Sequence, residues 1–389
     1  MKTLAVVLAS MLLAACATTA PTEQRADRFF NDRLFLAATE RIDAQDVFAL
    51  SADMKRYLDE EIARPMRTKG RQRALVDSLY NSGELKLQYD TESTRNAAEA
   101  FAARSGNCLS LVIMTAAFAK ELGLTVQYQK VFVDDTWSRS GDLYLAIGHV
   151  NLTLGRRATD DGSHGVRVGK KPQESDGMTI DFLPQQDMRS MRTRDIGEDV
   201  IVAMYMNNRA VEALVHGHID DAYWWARQAI IQSPDLQMPY NTLGAIYRRH
   251  GNPKEAEVVL ASVLQRDPTY TQAMSNMILV LNDLGRSQDA QKLAGRLKQL
   301  DPEPAFSNFN RGLVAMQDGN AQIAKEAFAK EVARAPEYHE FHFWLALAYF
   351  NLGEMEPARQ HLALAMKSST THRDYDLYSA KLERLNSLQ

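Results

Sequence analysis

The stretch at 241–268, NTLGAIYRRHGNPKEAEVVLASVLQRDP, decides the fold of the C-terminal half. Gly251, Ala256 and Pro268 inside it belong to three columns that return every 34 residues. The first is Gly217, Gly251, Gly285, Gly319 and Gly353; the second is Ala222, Ala256, Ala290, Ala324 and Ala358. The third is Pro234, Pro268, Pro302 and Pro336. Independent columns in one register mean one supersecondary unit used five times. Each unit reads as a helix before the Gly and a second helix after it, with Pro between units. Each helix pair leaves an apolar face bare until its neighbour covers it, so stacking gives a solenoid with an extended concave surface.

A 34-residue period with small residues at the helix crossing resembles the tetratricopeptide repeat. The second unit carries Tyr240, Leu243-Gly244 and Tyr247 in that motif's first-helix positions. The resemblance covers five repeats over 203–372, and the polar residues 373–389 read as a solvating cap. It implies a protein or peptide partner on the concave surface. Trp224 and Trp225 fall on a second helix and are expected to pack. His216, His218, His339 and His342 lie close in sequence but lack carboxylate or thiol partners, so neither a metal nor a cofactor is expected. A net charge of -4 over 389 residues gives no argument for a nucleic-acid partner.

The chain opens MKTLAVVLASMLLAAC: a Lys, an apolar run and small residues ahead of Cys16. That is the layout of an export signal, too short to span a bilayer permanently. Leu13-Ala14-Ala15-Cys16 resembles the lipobox of bacterial lipoproteins, which implies a signal over 1–15, a lipidated Cys16 and a polar tether over 16–28. Acyl chains on one residue hold a protein at a membrane without a spanning helix. Ala17 after the cysteine implies the periplasmic face of the outer membrane in a bacterial cell envelope.

If Cys16 is lipidated, Cys108 is the sole remaining thiol of an exported chain, with no partner for a disulfide. Such a thiol is either buried and inert or kept for its chemistry. It sits in RSGNCLSLVIMTAAFAKELG (104–123), at the start of a helix expected over 109–122. That helix is apolar on nearly every side, the pattern of a buried helix. Upstream, residues 29–82 read as short helices broken at Pro65 and Gly70, and Thr94 reads as the N-cap of a helix ended by Gly106. Downstream, alternation and β-branching mark strands over 125–133, 144–154 and 178–183, with a Gly-rich polar loop over 155–177. Helices followed by strands indicate an α+β unit over 29–197.

His149 lies in the second of these strands and Asp181 in the third. Neighbouring strands lie about 5 Å apart, so the carboxylate reaches the far nitrogen of the imidazole and fixes its tautomer. Cys108 at a helix start meets unpaired N–H groups and the positive end of the helix dipole. Helix-Cys, strand-His, strand-Asp in that order, with TRNAAEAFAARSGNCLSL, GHVNL and TIDFLP, resembles the bacterial branch of the transglutaminase-like, papain-like superfamily. The resemblance implies an α+β transglutaminase-like domain followed by an all-α tetratricopeptide repeat solenoid. It makes Cys108 the nucleophile, His149 the base and Asp181 the orienting acid, and it suggests that Thr94 and the helix after it brace the nucleophile's helix. No Trp precedes Cys108 to complete an oxyanion hole, as one does in animal transglutaminases. Asn107 is a candidate donor there, or a turn residue beside Gly106. The expected activity is cleavage or transfer of an amide acyl group, with the repeats recruiting a protein. The alternative is a catalytically silent lipoprotein scaffold.

Overall fold

The computed structural model describes residues 26–81, 85, 87–90, 93–140, 143–155, 177–182, 192–303, 306–369 and 372–387. The export signal, Cys16 and nearly all of the loop over 155–177 lie outside the described residues. No helix among the described residues is long and apolar enough to cross a membrane.

After three short 3₁₀ turns, helix α1 (Ala52–Tyr57) runs through a π turn (Leu58–Ile62) into α2 (Ala63–Lys69). Pro65 does not break this helix: the Glu61 carbonyl, four residues earlier, which its missing N–H leaves free, accepts from the Ser78 hydroxyl at 3.4 Å. Gly70, at φ 77°, does end it, and α3 (Arg71–Val76) follows. A short bridge joins β1 (Gln88–Tyr89) in parallel to β2 (Ser105–Gly106), and α4 (Ala97–Ala103) lies between them. Thr94 is not the N-cap of α4. Asn96 is, because Glu99 three residues on completes a reciprocal capping box with it. Nor does Gly106 end α4; Arg104 closes it in the left-handed region at φ 51°.

Helix α5 (Cys108–Glu121) is the centre of this half, with every residue from Cys108 to Ala119 buried. Strands β3 (Thr125–Ser140), β4 (Leu143–Gly155), β5 (Met178–Ile180) and β6 (Arg192–Ile196) form one antiparallel sheet in the order β5-β4-β3-β6. The β3–β4 hairpin is longer than the alternation predicts, and β6 carries a polar, exposed pattern that hid it from sequence reading. Val150, Leu152 and Leu154, on one side of β4, are fully buried and join α5 in the core.

The repeats begin with α6 (Glu198–Val215) and α7 (Ile219–Gln232), followed by α8 (Gln237–Arg249), α9 (Pro253–Arg266), α10 (Thr271–Asp283) and α11 (Ser287–Leu300). Next come α12 (Ser307–Gln317), α13 (Ala321–Arg334), α14 (His339–Asn351) and α15 (Met355–Lys367). The five column glycines have φ between 74° and 85°, which only Gly adopts without strain, so each one turns the chain from first helix to second. The alanine column fills the crossing: Ala222, Ala256, Ala324 and Ala358 are fully buried. Gly244 and Gly312 let paired helices touch, since a Cβ on Gly312 would stand 2.4 Å from the Phe328 ring. The polar tail is a helix, α16 (His372–Asn386), and it buries Tyr378 and Leu385 against the last unit.

Two features tie the halves together. One buried apolar cluster runs from Phe29 through α5 and the sheet to Leu281 and Ala290, so the first three repeats share a core with the half that carries the sheet. A strap over residues 29–40 also lies on the first two repeats. Phe35 stacks on Tyr223 at 3.9 Å, and Phe29 meets Tyr240 edge-on at 5.6 Å. The Tyr247 hydroxyl donates to the Phe29 carbonyl at 2.8 Å, and Asp221 accepts from Thr39 N–H and Oγ1–H at 2.7 and 2.8 Å. Trp224 and Trp225 serve the strap too, donating to the Leu36 carbonyl and to Glu40 at 2.6 Å each.

Candidate functional site

Cys108 is the first residue of α5, and Asn107 is its N-cap. Asn107 Oδ1 accepts from Ser110 N–H at 2.9 Å, while Nδ2 donates to Thr94 Oγ1 at 2.9 Å. The amide thus caps α5 and braces its start against Thr94. Thr94, 1% exposed, also receives Asn208 Nδ2 at 3.3 Å, and its own N–H donates to Glu212 Oε1 at 2.7 Å. Asn208 and Glu212 belong to α6, so the brace on the cysteine's helix reaches the first repeat.

Antiparallel pairing of Leu152 with Ile180 sets Asp181 diagonally across from His149. Residues 149, 151 and 153 share one side of β4 by strand alternation. His149 Nε2 donates to Asp181 Oδ1 at 2.7 Å, and Asn151 Nδ2 donates to Asp181 Oδ2 at 3.0 Å. Cys108 lies near enough to the same imidazole to raise it. The structure therefore brings Cys108, His149 and Asp181 together, with side chains of His149 and Asp181 only 4% and 2% exposed. Burial opposes charge on His149. The Asp181 hydrogen bond, then that of Cys108, then their negative charges overcome it and push the imidazole up to about 9. An imidazolium between a carboxylate and a sulfur is what an activated thiol needs.

Two neighbours were missed in the sequence. Asn151 holds the second oxygen of Asp181, and its place two residues after His149 in a strand was the available signal. Tyr89, on the short β1, pairs with Gly106 two residues before Cys108, and nothing in its sequence surroundings marks it. The flagged histidines stand apart: His216 turns back on the Glu212 carbonyl, and His342 pairs with His361. No group of three or more His, Cys, Asp or Glu is placed to hold a metal among the described residues.

Residues 309–370 match the tetratricopeptide repeat family. Proteins built of tetratricopeptide repeats bind protein or peptide partners on such extended surfaces. Among solved structures, the chain is similar to TTC0263, a thermophilic tetratricopeptide protein of Thermus thermophilus. The identity is 18%, over 46% of this chain and 98% of that one, with a TM-score of 0.33. It is also similar to pilF of Pseudomonas aeruginosa, at 21% identity over 48% of this chain and 84% of that one, TM-score 0.31. A third is YrrB, described as a tetratricopeptide protein with an unusual peptide-binding site. There the identity is 19%, the coverage 46% and 92%, and the TM-score 0.25. No curated protein matches the chain.

Proposed function

We propose that this chain is a tetratricopeptide scaffold carrying a thiol acyl-transfer centre of the transglutaminase-like type, anchored in the bacterial envelope through Cys16. The observation that carries the reading is the His149–Asp181 hydrogen bond, formed near Cys108 at a helix start. In this reading Cys108 attacks an amide or ester carbonyl and His149 protonates the leaving group. Asp181 and Asn151 keep the ring oriented. Water or an amine then releases the acyl group, and the repeats bring the protein substrate. Iodoacetamide labelling of the full chain tests it. Cys108 is expected to react faster than free cysteine and to slow in His149→Ala; labelling at the free-cysteine rate, indifferent to that substitution, overturns it.

One observation favours a second reading, in which the core is silent and the protein only docks partners: Cys108 is just 4% exposed. Complementation of a deletion strain separates the two. Full rescue by Cys108→Ala, with none by a form lacking the repeats, selects the scaffold. The anchor is tested by labelled palmitate, whose incorporation should vanish in Cys16→Ala; incorporation that persists rules the anchor out.

A further inference from the structure

Strands β4 and β5 pair Leu154 with Met178, Thr153 with Thr179 and Leu152 with Ile180. One step further along that register Asn151 stands opposite Asp181, while His149 lies on the diagonal. The register is not free to slip by one residue, because Val150, Leu152 and Leu154 would leave the core and Asn151 would enter it. A polar rung fixes it as well, the Thr153 and Thr179 hydroxyls meeting at 2.9 Å. The Asp181 side chain held there is 2% exposed, and burial without donors opposes charge on a carboxylate. Each of its oxygens takes a donor: His149 Nε2–H reaches Oδ1 at 2.7 Å, and Asn151 Nδ2–H reaches Oδ2 at 3.0 Å. Asn151 is itself 4% exposed, and its Oδ1 meets no donor among the described residues, so the bond to Asp181 is what orients the amide.

Two bases contend for the proton between them, His149 Nε2 and Asp181 Oδ1. A second N–H on the carboxylate makes it the weaker base, and the amide supplies that N–H without a charge of its own. We propose that Asn151 is a positioning residue of the thiol centre, which by donating to Asp181 Oδ2 keeps that carboxylate ionised and the proton of the pair on His149 Nε2. The effect on Cys108 rests on the thiol-enzyme reading above; the effect on Asp181 stands on the hydrogen bonds alone. Asn151 thereby sets the acid limit of the pair, the pH below which Asp181 takes up a proton and ceases to hold the imidazole. Other titratable groups beside the pair are Cys108 at the start of α5, which acts on His149, and Tyr89 on β1, which feels the charge of Asp181. From β3, the residue paired with His149 is the apolar Val131.

The test uses the full chain, Asn151→Leu and Asn151→Asp, with melting curves to check folding. Carbon-13 resonance of the Asp181 carboxyl follows its protonation, and iodoacetamide labelling of Cys108 across pH follows the sulfur. In Asn151→Leu the proton affinity of Asp181 should rise about 10- to 100-fold, one to two pH units. The acid limb of labelling should move with it, while the alkaline limb stays in place. In Asn151→Asp the new carboxyl has a proton to donate only in acid, so labelling should match wild type at low pH and fall as that proton leaves. An Asp181 titration that does not move in Asn151→Leu overturns the proposal. So do acid and alkaline limbs that shift together, the mark of a merely loosened site, and wild-type behaviour of Asn151→Asp at every pH. Should Asn151→Leu fail to fold, Asn151→Asp alone decides. A wild-type Cys108 that labels no faster than free cysteine sinks the thiol-enzyme reading instead, and the Asp181 titration then judges Asn151 by itself.

Discussion

Thr94 N–H donates to Glu212 Oε1 across 2.7 Å, and Thr94 Oγ1 accepts the Asn107 amide at 2.9 Å. One buried residue therefore links the first repeat to the cap of the cysteine's helix. Thr94→Val keeps the volume and the N–H but leaves the Asn107 and Asn208 amides without their acceptor. Unfolding should become easier by about 1–3 kcal/mol. Iodoacetamide labelling of Cys108 should change as well, since the cap that aims the helix start loosens. A stability loss with unaltered labelling would show that the brace does not reach the sulfur.

Alkaline pH should weaken the half that carries the sheet. His149 is raised to about 9 in the fold against an ordinary value near 6.5, so between these values the folded chain binds the proton and the unfolded chain does not. Stabilisation is complete below about 6.5 and is lost as pH rises through about 9, a change of at most about 3 kcal/mol. Denaturant unfolding across that window checks it, and Asp181→Asn should flatten the slope.

Mild acid should loosen the opposite end of the molecule. His342 Nε2 donates to the Pro336 carbonyl at 2.7 Å, so its Nδ1 accepts from His361 Nδ1–H at 2.9 Å. Burial, then the neighbouring His342, lower His361 to about 4. The unfolded chain takes up its proton near the ordinary value and the folded chain resists until about 4, so stability falls as pH drops through that interval. Hydrogen exchange in α14 to α16 should rise there in wild type and less in His361→Gln, where His339, also lowered by burial, still responds. An unchanged acid response in the variant would assign the loosening to other groups.

Removing the strap's anchor should cost the first repeats most. Phe35→Ala deletes a ring that is 7% exposed and stacked on Tyr223, and is expected to cost about 3 kcal/mol. Limited proteolysis should then cut within residues 29–40. The fourth and fifth repeats, whose apolar clusters are separate, should keep their protection. An uncut strap with unaltered stability would mean that Phe35 is replaceable.

The repeat register was legible because it is local: a glycine at φ near 80° and an alanine at a crossing recur wherever the unit recurs. His149 and Asp181 were legible because strand alternation and antiparallel pairing leave few ways to place them. The strap was not, since Phe35 and Tyr223 meet only through tertiary packing and neither shows a local period. Tyr89 was hidden by a two-residue strand too short to carry a pattern. Thr94 misled as a cap because its polar atoms serve long-range partners, Glu212 and Asn208, while Asn96 with Glu99 does the local work.

The central claim is a proton held on His149 by the carboxylate on one side and the sulfur on the other. Nuclear magnetic resonance of the full chain with labelled histidine measures it directly. His149 is expected to titrate near 9 in wild type and well below that in both Asp181→Asn and Cys108→Ala. A His149 that titrates at its ordinary value near 6.5 in all three chains would contradict it.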